Sequence, residues 1–228
     1  MRTGAEAANT VDDRPKNFLT EAEIADFLKT ARKGRHSVRN YAMLLLAFRH
    51  GLRVSELINV RMPDVDLDTG RLFVRRLKGS LSTSQPLEGD EIRALRAWLR
   101  QRVNAPCCNS PLVFLSERGP MTRQAFNHIC AEVGKRAGLG DKVHPHMLRH
   151  SCGFALANKG CDTRLIQDYL GHRNITHTQI YTRTAAVRFE GLWDWVRTEV
   201  SYKGKMAFLL EFADDIRCTQ TALFKPVE

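Results

Sequence analysis

Apolar positions in this chain recur mostly at helical spacing, punctuated by glycines and broken once by a stretch of alternation. Ile24, Phe27 and Leu28 follow Thr20-Glu21-Ala22-Glu23. That is a capping-box sequence, in which the threonine hydroxyl and the glutamate satisfy reciprocal backbone donors at a helix start. Across residues 37–50, Tyr41, Met43, Leu44, Leu45, Leu46 and Phe48 cover nearly every face, which predicts a central, buried helix with Gly51 as its left-handed stop. Residues 54–60 start the next short helix, so Arg53 falls on the turn between two rigid elements. Residues 90–103 place Ile92, Leu95, Trp98 and Leu99 on one helical face, and residues 122–137 do the same with Phe126, Ile129 and Val133 ahead of Gly138. His144-Pro145 opens a helix to about Asn158, stopped by Gly160, and residues 163–170 form another, stopped by Gly171.

The alternating part is residues 71–77, which follow a turn signal at 66–70 and precede Lys78-Gly79-Ser80 and a second extended stretch at 82–87. This predicts a small antiparallel hairpin with Lys78 at its tip; residues 112–115 are expected to add a short strand to the same sheet. The fold class expected is therefore α+β, mostly helical, with a small antiparallel sheet at one side. No repeat of roughly 20–50 residues is visible, which excludes a solenoid. Residues 1–17 lack periodicity and read as a disordered leader, residues 18–198 as the catalytic domain, and residues 199–228 as a tail of unknown role. Within that tail, residues 206–212 suit either a short amphipathic element or disorder.

Composition narrows the class. The chain has 228 residues, 43% hydrophobic and 26% charged, enough to bury one sizeable core. No run approaches the roughly 18 apolar residues of a membrane span, and the first residues lack a signal-peptide core, so a cytoplasmic protein with no membrane partner is expected. The net charge is +10. Lys203, Lys205, Arg217 and Lys225 are balanced by Glu211, Asp214, Asp215 and Glu228, so residues 1–200 carry the whole excess. A basic body suits a polyanion. The six cysteines form no CxxC pair, which argues against disulfides and zinc. His146 and His150 stand four apart, yet Met147 replaces the glutamate of an HExxH zinc site, and neither a metal nor another cofactor is expected.

Two arginines, Arg53 and Arg149, two histidines, His146 and His172, and the phenol of Tyr181 are the parts needed to attack a phosphodiester without a metal ion. Guanidinium forks bind the non-bridging oxygens as they gain charge in the transition state. A phenol with an ordinary pKa of about 10 needs a base or a strongly positive site to ionise near neutrality. Tyr169 is the rival nucleophile, but it shares an apolar helix face with Leu165, Ile166 and Leu170. Tyr181 instead follows a polar stretch, residues 174–179, that suits a movable segment.

The ordered set Arg53, Lys78, His146, Arg149, His172, Tyr181 resembles the catalytic domain of tyrosine recombinases, the phage integrase family. Residues 41–57 (YAMLLLAFRHGLRVSEL), 75–86 (RRLKGSLSTSQP) and above all 144–181 look like the short recombinases that invert the fimbrial switch. The likeness covers roughly residues 18–195. It implies a site-specific recombinase that cleaves and rejoins double-stranded DNA through a covalent 3′-phosphotyrosyl intermediate. It further implies Arg53 and Arg149 as phosphate clamps, His146 as base, His172 as hydrogen-bond donor and Lys78 as general acid to the leaving 5′-oxygen. Glu56 and His150 are expected to orient these groups.

Most members of the family carry a helical core-binding domain ahead of the catalytic one, and residues 1–19 are too few to build it. DNA binding is then expected to rest on the basic catalytic face, on partner protomers or on accessory DNA-bending proteins. Phe189, Leu192, Trp193 and Trp195 form an apolar cluster after the nucleophile. In the family such a segment docks on the neighbouring protomer of a homotetramer on paired sites; the alternative is that it folds back on its own core. Alternatives at the level of function are a type IB topoisomerase and a non-catalytic DNA-binding regulator on the same fold.

Overall fold

The computed structural model describes residues 17–76, 81–140 and 142–183. Lys78, the apolar segment around Trp193, and the leader and tail assigned to residues 1–17 and 199–228 fall outside these residues, apart from Asn17. Among the described residues, no helix is long and apolar enough to cross a membrane.

The fold is α+β and mostly helical. Helix α1 (Glu21–Ala31) begins at the capping box: the Thr20 amide donates to Glu23 Oε2 at 2.8 Å while Thr20 Oγ1 accepts from the Glu23 amide. Helix α2 (Ser37–Arg49) buries Ala42 through Ala47 completely and forms the centre of the core, packed by α1, α4 (Gly89–Arg102) and α6 (Pro145–Asn158). Its apolar residues face partners on several sides, which is why they show no single stripe. Helix α3 (Val54–Ile58) follows after Gly51, whose φ of 54° is the left-handed stop. A carbon added at Gly51 would also run into the buried side chain of Leu170, so both backbone conformation and packing favour glycine there.

Strands β1 (Val65–Asp66), β2 (Arg71–Val74) and β3 (Thr83–Pro86) form one antiparallel sheet in chain order, with Leu72 opposite Gln85 and Val74 opposite Thr83. The expected hairpin is present. Its strands are shorter than residues 71–77 and 82–87. The expectation for residues 112–115 needs correction. Leu112 only bridges Arg61, and β4 (Leu115–Ser116) pairs with β5 (Gly119–Pro120) in a separate sheet. The reason is burial on all sides: Val113, Phe114 and Leu115 are fully enclosed, and the Val113 carbonyl accepts from Trp98 Nε1 of α4 at 2.9 Å. Nothing in a continuous apolar run says which edge it meets.

Helix α5 (Arg123–Arg136) packs on α1, α3 and α6, burying Phe126, Ile129 and Val133. Helix α7 (Thr163–Leu170) is capped by Asp162 and stopped by Gly171 at φ 66°. Helix α8 (Thr176–Arg183) packs on α6 and α7. The movable polar stretch expected at residues 174–179 is thus partly helical, because Thr178 and Tyr181 are buried against α6 and α7 and hold the turn in place.

Candidate active site

Arg53 is the residue that caps α3, in extended conformation (φ −69°, ψ 154°). Both its amide, at 2.9 Å, and its guanidinium, at 2.7 Å, donate to Glu56, so the side chain is aimed while staying one-third exposed. Arg149, one turn into α6, is buried; its guanidinium donates to the Gly51 carbonyl at 2.5 Å and the Leu170 carbonyl at 2.7 Å. It ties the α2–α3 turn to the end of α7. Burial, with Arg53 and Arg76 close by, pulls its pKa down to about 10, which leaves it charged near neutrality.

Beneath the two arginines lies a third that the candidate set lacks. Arg76 follows β2, is fully buried and pairs with Glu56 Oε2 at 2.6 Å; it also donates to the Tyr169 carbonyl at 2.5 Å. Burial alone would raise the Glu56 pKa, but the Arg76 charge and hydrogen bonds from Arg53 outweigh it and hold the carboxyl below its usual range. Glu56 therefore balances Arg53 and Arg76 directly and reaches Arg149 at 3.9 Å. A signal for Arg76 existed in the sequence. Alternation along residues 71–76 puts it on the same inward face as Leu72 and Val74, where a charge must find a partner.

The histidines divide by position. His146, on the first turn of α6, is exposed, and its pKa is lowered by partial burial and by Arg149. His150, one turn on, places Nδ1 3.1 Å from the Tyr181 hydroxyl. His150, not His146, is thus the histidine in hydrogen-bond contact with the phenol. Its pKa too is lowered, by burial and then by His146 and Arg149, so it is neutral and able to accept a proton. His172, after the α7 stop, bonds Thr178 Oγ1 through Nδ1 at 2.9 Å. Burial and the flanking arginines pull its pKa down to about 3.

Tyr181 is 1% exposed. Its ring packs over Gly153 of α6, edge-on to Phe154 (5.1 Å) and stacked near His172 (6.2 Å). Burial pushes its pKa up to about 12, against the pull of Arg149 and Arg53. Tyr169, the rival, is turned away: its hydroxyl donates to the Arg49 carbonyl at 3.0 Å, and burial raises its pKa.

Arg53, His146, Arg149, His150, His172 and Tyr181 line one open cleft of about 710 Å³, with Arg123, Arg173 and His177 on its walls. The cleft joins residues more than a hundred positions apart in the chain. Residues 17–188 match the phage integrase family. This chain belongs to the phage integrase family. Type 1 fimbriae regulatory protein FimB of Escherichia coli K12 is 52% identical to this recombinase over 190 residues, 83% of this chain and 95% of FimB. Tyrosine recombinase XerA of Pyrococcus furiosus is 35% identical over 176 residues, 75% of this chain and 58% of XerA. The crystal structure of XerH site-specific recombinase bound to its difH substrate superposes with a TM-score of 0.64 and 27% identity, covering 74% of this chain and 50% of XerH. The chain thus spans nearly all of FimB but only between half and three fifths of the two Xer proteins. It is a tyrosine-type site-specific recombinase, which breaks and rejoins DNA.

Proposed function

We propose that this recombinase cuts double-stranded DNA with Tyr181 and inverts or integrates the segment between two sites, and that the catalytic domain is residues 18–198. The observation that carries the reading is the burial of one phenol in the wall of a cleft lined by Arg53, Arg149, His146, His150 and His172. Arg53 and Arg149 hold the non-bridging oxygens of the scissile phosphate, and Glu56 and Arg76 keep Arg53 aimed. Tyr181 Oη forms a bond to phosphorus as the bond to the 5′-oxygen breaks. The phenol proton passes to His150, the group nearest to it, while His146 on the rim faces the phosphate. With Thr178 Oγ1 as the donor to Nδ1, His172 carries its proton on Nε2 and donates it to the phosphate. Lys78 supplies the proton for the leaving 5′-oxygen. The phosphotyrosyl bond conserves the energy of the broken linkage, so a 5′-hydroxyl from the partner duplex reseals it without a cofactor.

The similarity to FimB supports inversion of a DNA segment that controls fimbrial genes, in the bacterial cytoplasm at the nucleoid. The working assembly is a homotetramer on paired sites, joined through the segment near Trp193 and aided by accessory DNA-bending proteins. A duplex carrying a nicked recombination site tests the chemistry. Wild type is expected to form a covalent protein–DNA adduct on a denaturing gel, and Tyr181→Phe none. An adduct with Tyr181→Phe would remove this nucleophile; a wild type that binds the duplex and forms none would remove cleavage. His150→Ala is expected to slow adduct formation at least about 100-fold, more than His146→Ala.

A further inference from the structure

The hydrogen bond between Tyr181 and His150 fixes the phenol oxygen, while the direction of the ring is set by what packs around it. Gly153 lies beneath the ring, and Phe154 meets it edge-on, with the ring planes at 82° and the centroids 5.1 Å apart. Phe154 is itself only half-buried and needs a backing. Phe18 supplies it, its ring centroid 4.2 Å from that of Phe154. Phe18 is held in turn by the chain that enters α1: the Leu19 amide donates to Ser151 Oγ at 2.7 Å, the Leu19 side chain is buried, and Thr20 caps the helix. Ser151 Oγ donates onward to the Met147 carbonyl at 2.8 Å, so one hydroxyl acts as acceptor and donor and ties this strap to α6. Phe154 stands four residues after His150 and three after Ser151, which places it between the face of α6 that meets Tyr181 and the face that meets the strap.

We propose that Phe18 and Phe154 are positioning residues for the cleavage step: the two rings brace the phenol of Tyr181 so that its oxygen stays at His150 and aimed at the scissile phosphate. The inference rests on Tyr181 being the nucleophile. Neither ring is among the described residues that line the cleft, so their effect falls on the rate of attack and not on the hold on DNA. A reacting atom displaced by about 1 Å can lose roughly 100-fold in rate, while the arginines that hold the phosphate are untouched. A segment at the start of the domain thereby acts on a tyrosine near its end.

The test is the rate of adduct formation by the full chain on a nicked duplex, followed over duplex concentration so that the saturating rate separates from affinity. Phe18→Ala and Phe154→Leu are each expected to slow the saturating rate about three- to tenfold and to leave duplex affinity unchanged. Phe18→Tyr keeps the ring and is expected to keep the rate. Combining Phe18→Ala with Phe154→Leu is expected to cost no more than Phe154→Leu alone, because Phe18 acts through Phe154. An unchanged saturating rate in either single variant, a loss confined to affinity, a slow Phe18→Tyr, or fully additive losses in the double variant overturns the proposal. Rates are read below the melting temperature of each variant, which keeps a fold defect out of the comparison, and Phe154→Leu preserves most of the apolar volume. If the adduct needs Tyr181 but neither ring, only this inference falls. If Tyr181→Phe still forms the adduct, the cleavage reading falls instead.

Discussion

A carbon added at Gly153 would lie 2.7 Å from the ring of Tyr181, closer than carbon atoms approach without displacing one another. Tyr181 therefore occupies a slot that only glycine leaves open, with His150 at its hydroxyl and Phe154 at its edge. Two effects oppose each other when alanine is introduced: a helix gains about 1 kcal/mol over glycine, whereas overpacking costs about 1–3 kcal/mol. Gly153→Ala is expected to destabilise the wild type and to stabilise a Tyr181→Ala background, as measured by urea unfolding. The same effect in both backgrounds would refute the contact. At this scale the sequence was informative about residue types and order. Arg53, Arg149, His172 and Tyr181, singled out because phosphate chemistry calls for guanidinium, imidazole and phenol, come together in one cleft. Glu56 was legible too, three residues from the arginine it binds. The pairing of His150 with Tyr181 was not, because it spans 31 positions and depends on how α8 lies against α6.

Among the elements, the β2–β3 hairpin is joined to the candidate site by the Arg76–Glu56 ion pair. Arg76 leaves the end of β2, crosses beneath Arg53 to Glu56 on α3, and reaches the Tyr169 carbonyl of α7. Because both partners are buried, removing one strands the other. Arg76→Ala is expected to cost about 3–5 kcal/mol, read as a lower midpoint of denaturant unfolding with little change in its slope. A loss within the roughly 0–1 kcal/mol of a surface pair would show that water replaces the guanidinium there. Helix boundaries were readable to within a residue or two, since Thr20, Asp162, Gly51 and Gly171 act locally. Residues 112–115 and α8 were not. The first is apolar on every side, and the second is polar enough to read as a loop until Thr178 and Tyr181 are buried.

For the molecule as a whole, burial of three histidines beside the cations of one cleft sets the response to acid. His146, His150 and His172 all bind protons less readily when folded, first because they are partly buried and then because neighbouring charges repel the proton, Arg149 for His146 and His172, and His146 followed by Arg149 for His150. Between the ordinary histidine value of 6.5 and the value of about 3 for His172, the unfolded chain binds more protons than the folded one. Stability is then greatest above pH 6.5 and declines as the pH falls through that window. Melting temperature is expected to drop between pH 7.5 and 5.5, and His172→Gln to flatten the drop. A melting temperature that rises on acidification would contradict the sign. A phosphate in the cleft opposes the same repulsion, so DNA should lessen the drop.

The sequence by itself determined which elements form and in what order, because caps, glycine stops and apolar spacing act over a few residues. It also pointed to the class of chemistry, through the ordered set of arginines, histidines and a phenol that resembles the tyrosine recombinases. Tertiary structure decided what no local rule reaches: which histidine meets the phenol, which arginine neutralises Glu56, and where residues 112–115 pair. Each of these joins distant segments, and their positions are set by the packing of α3, α5, α6 and α8 rather than by spacing along the chain.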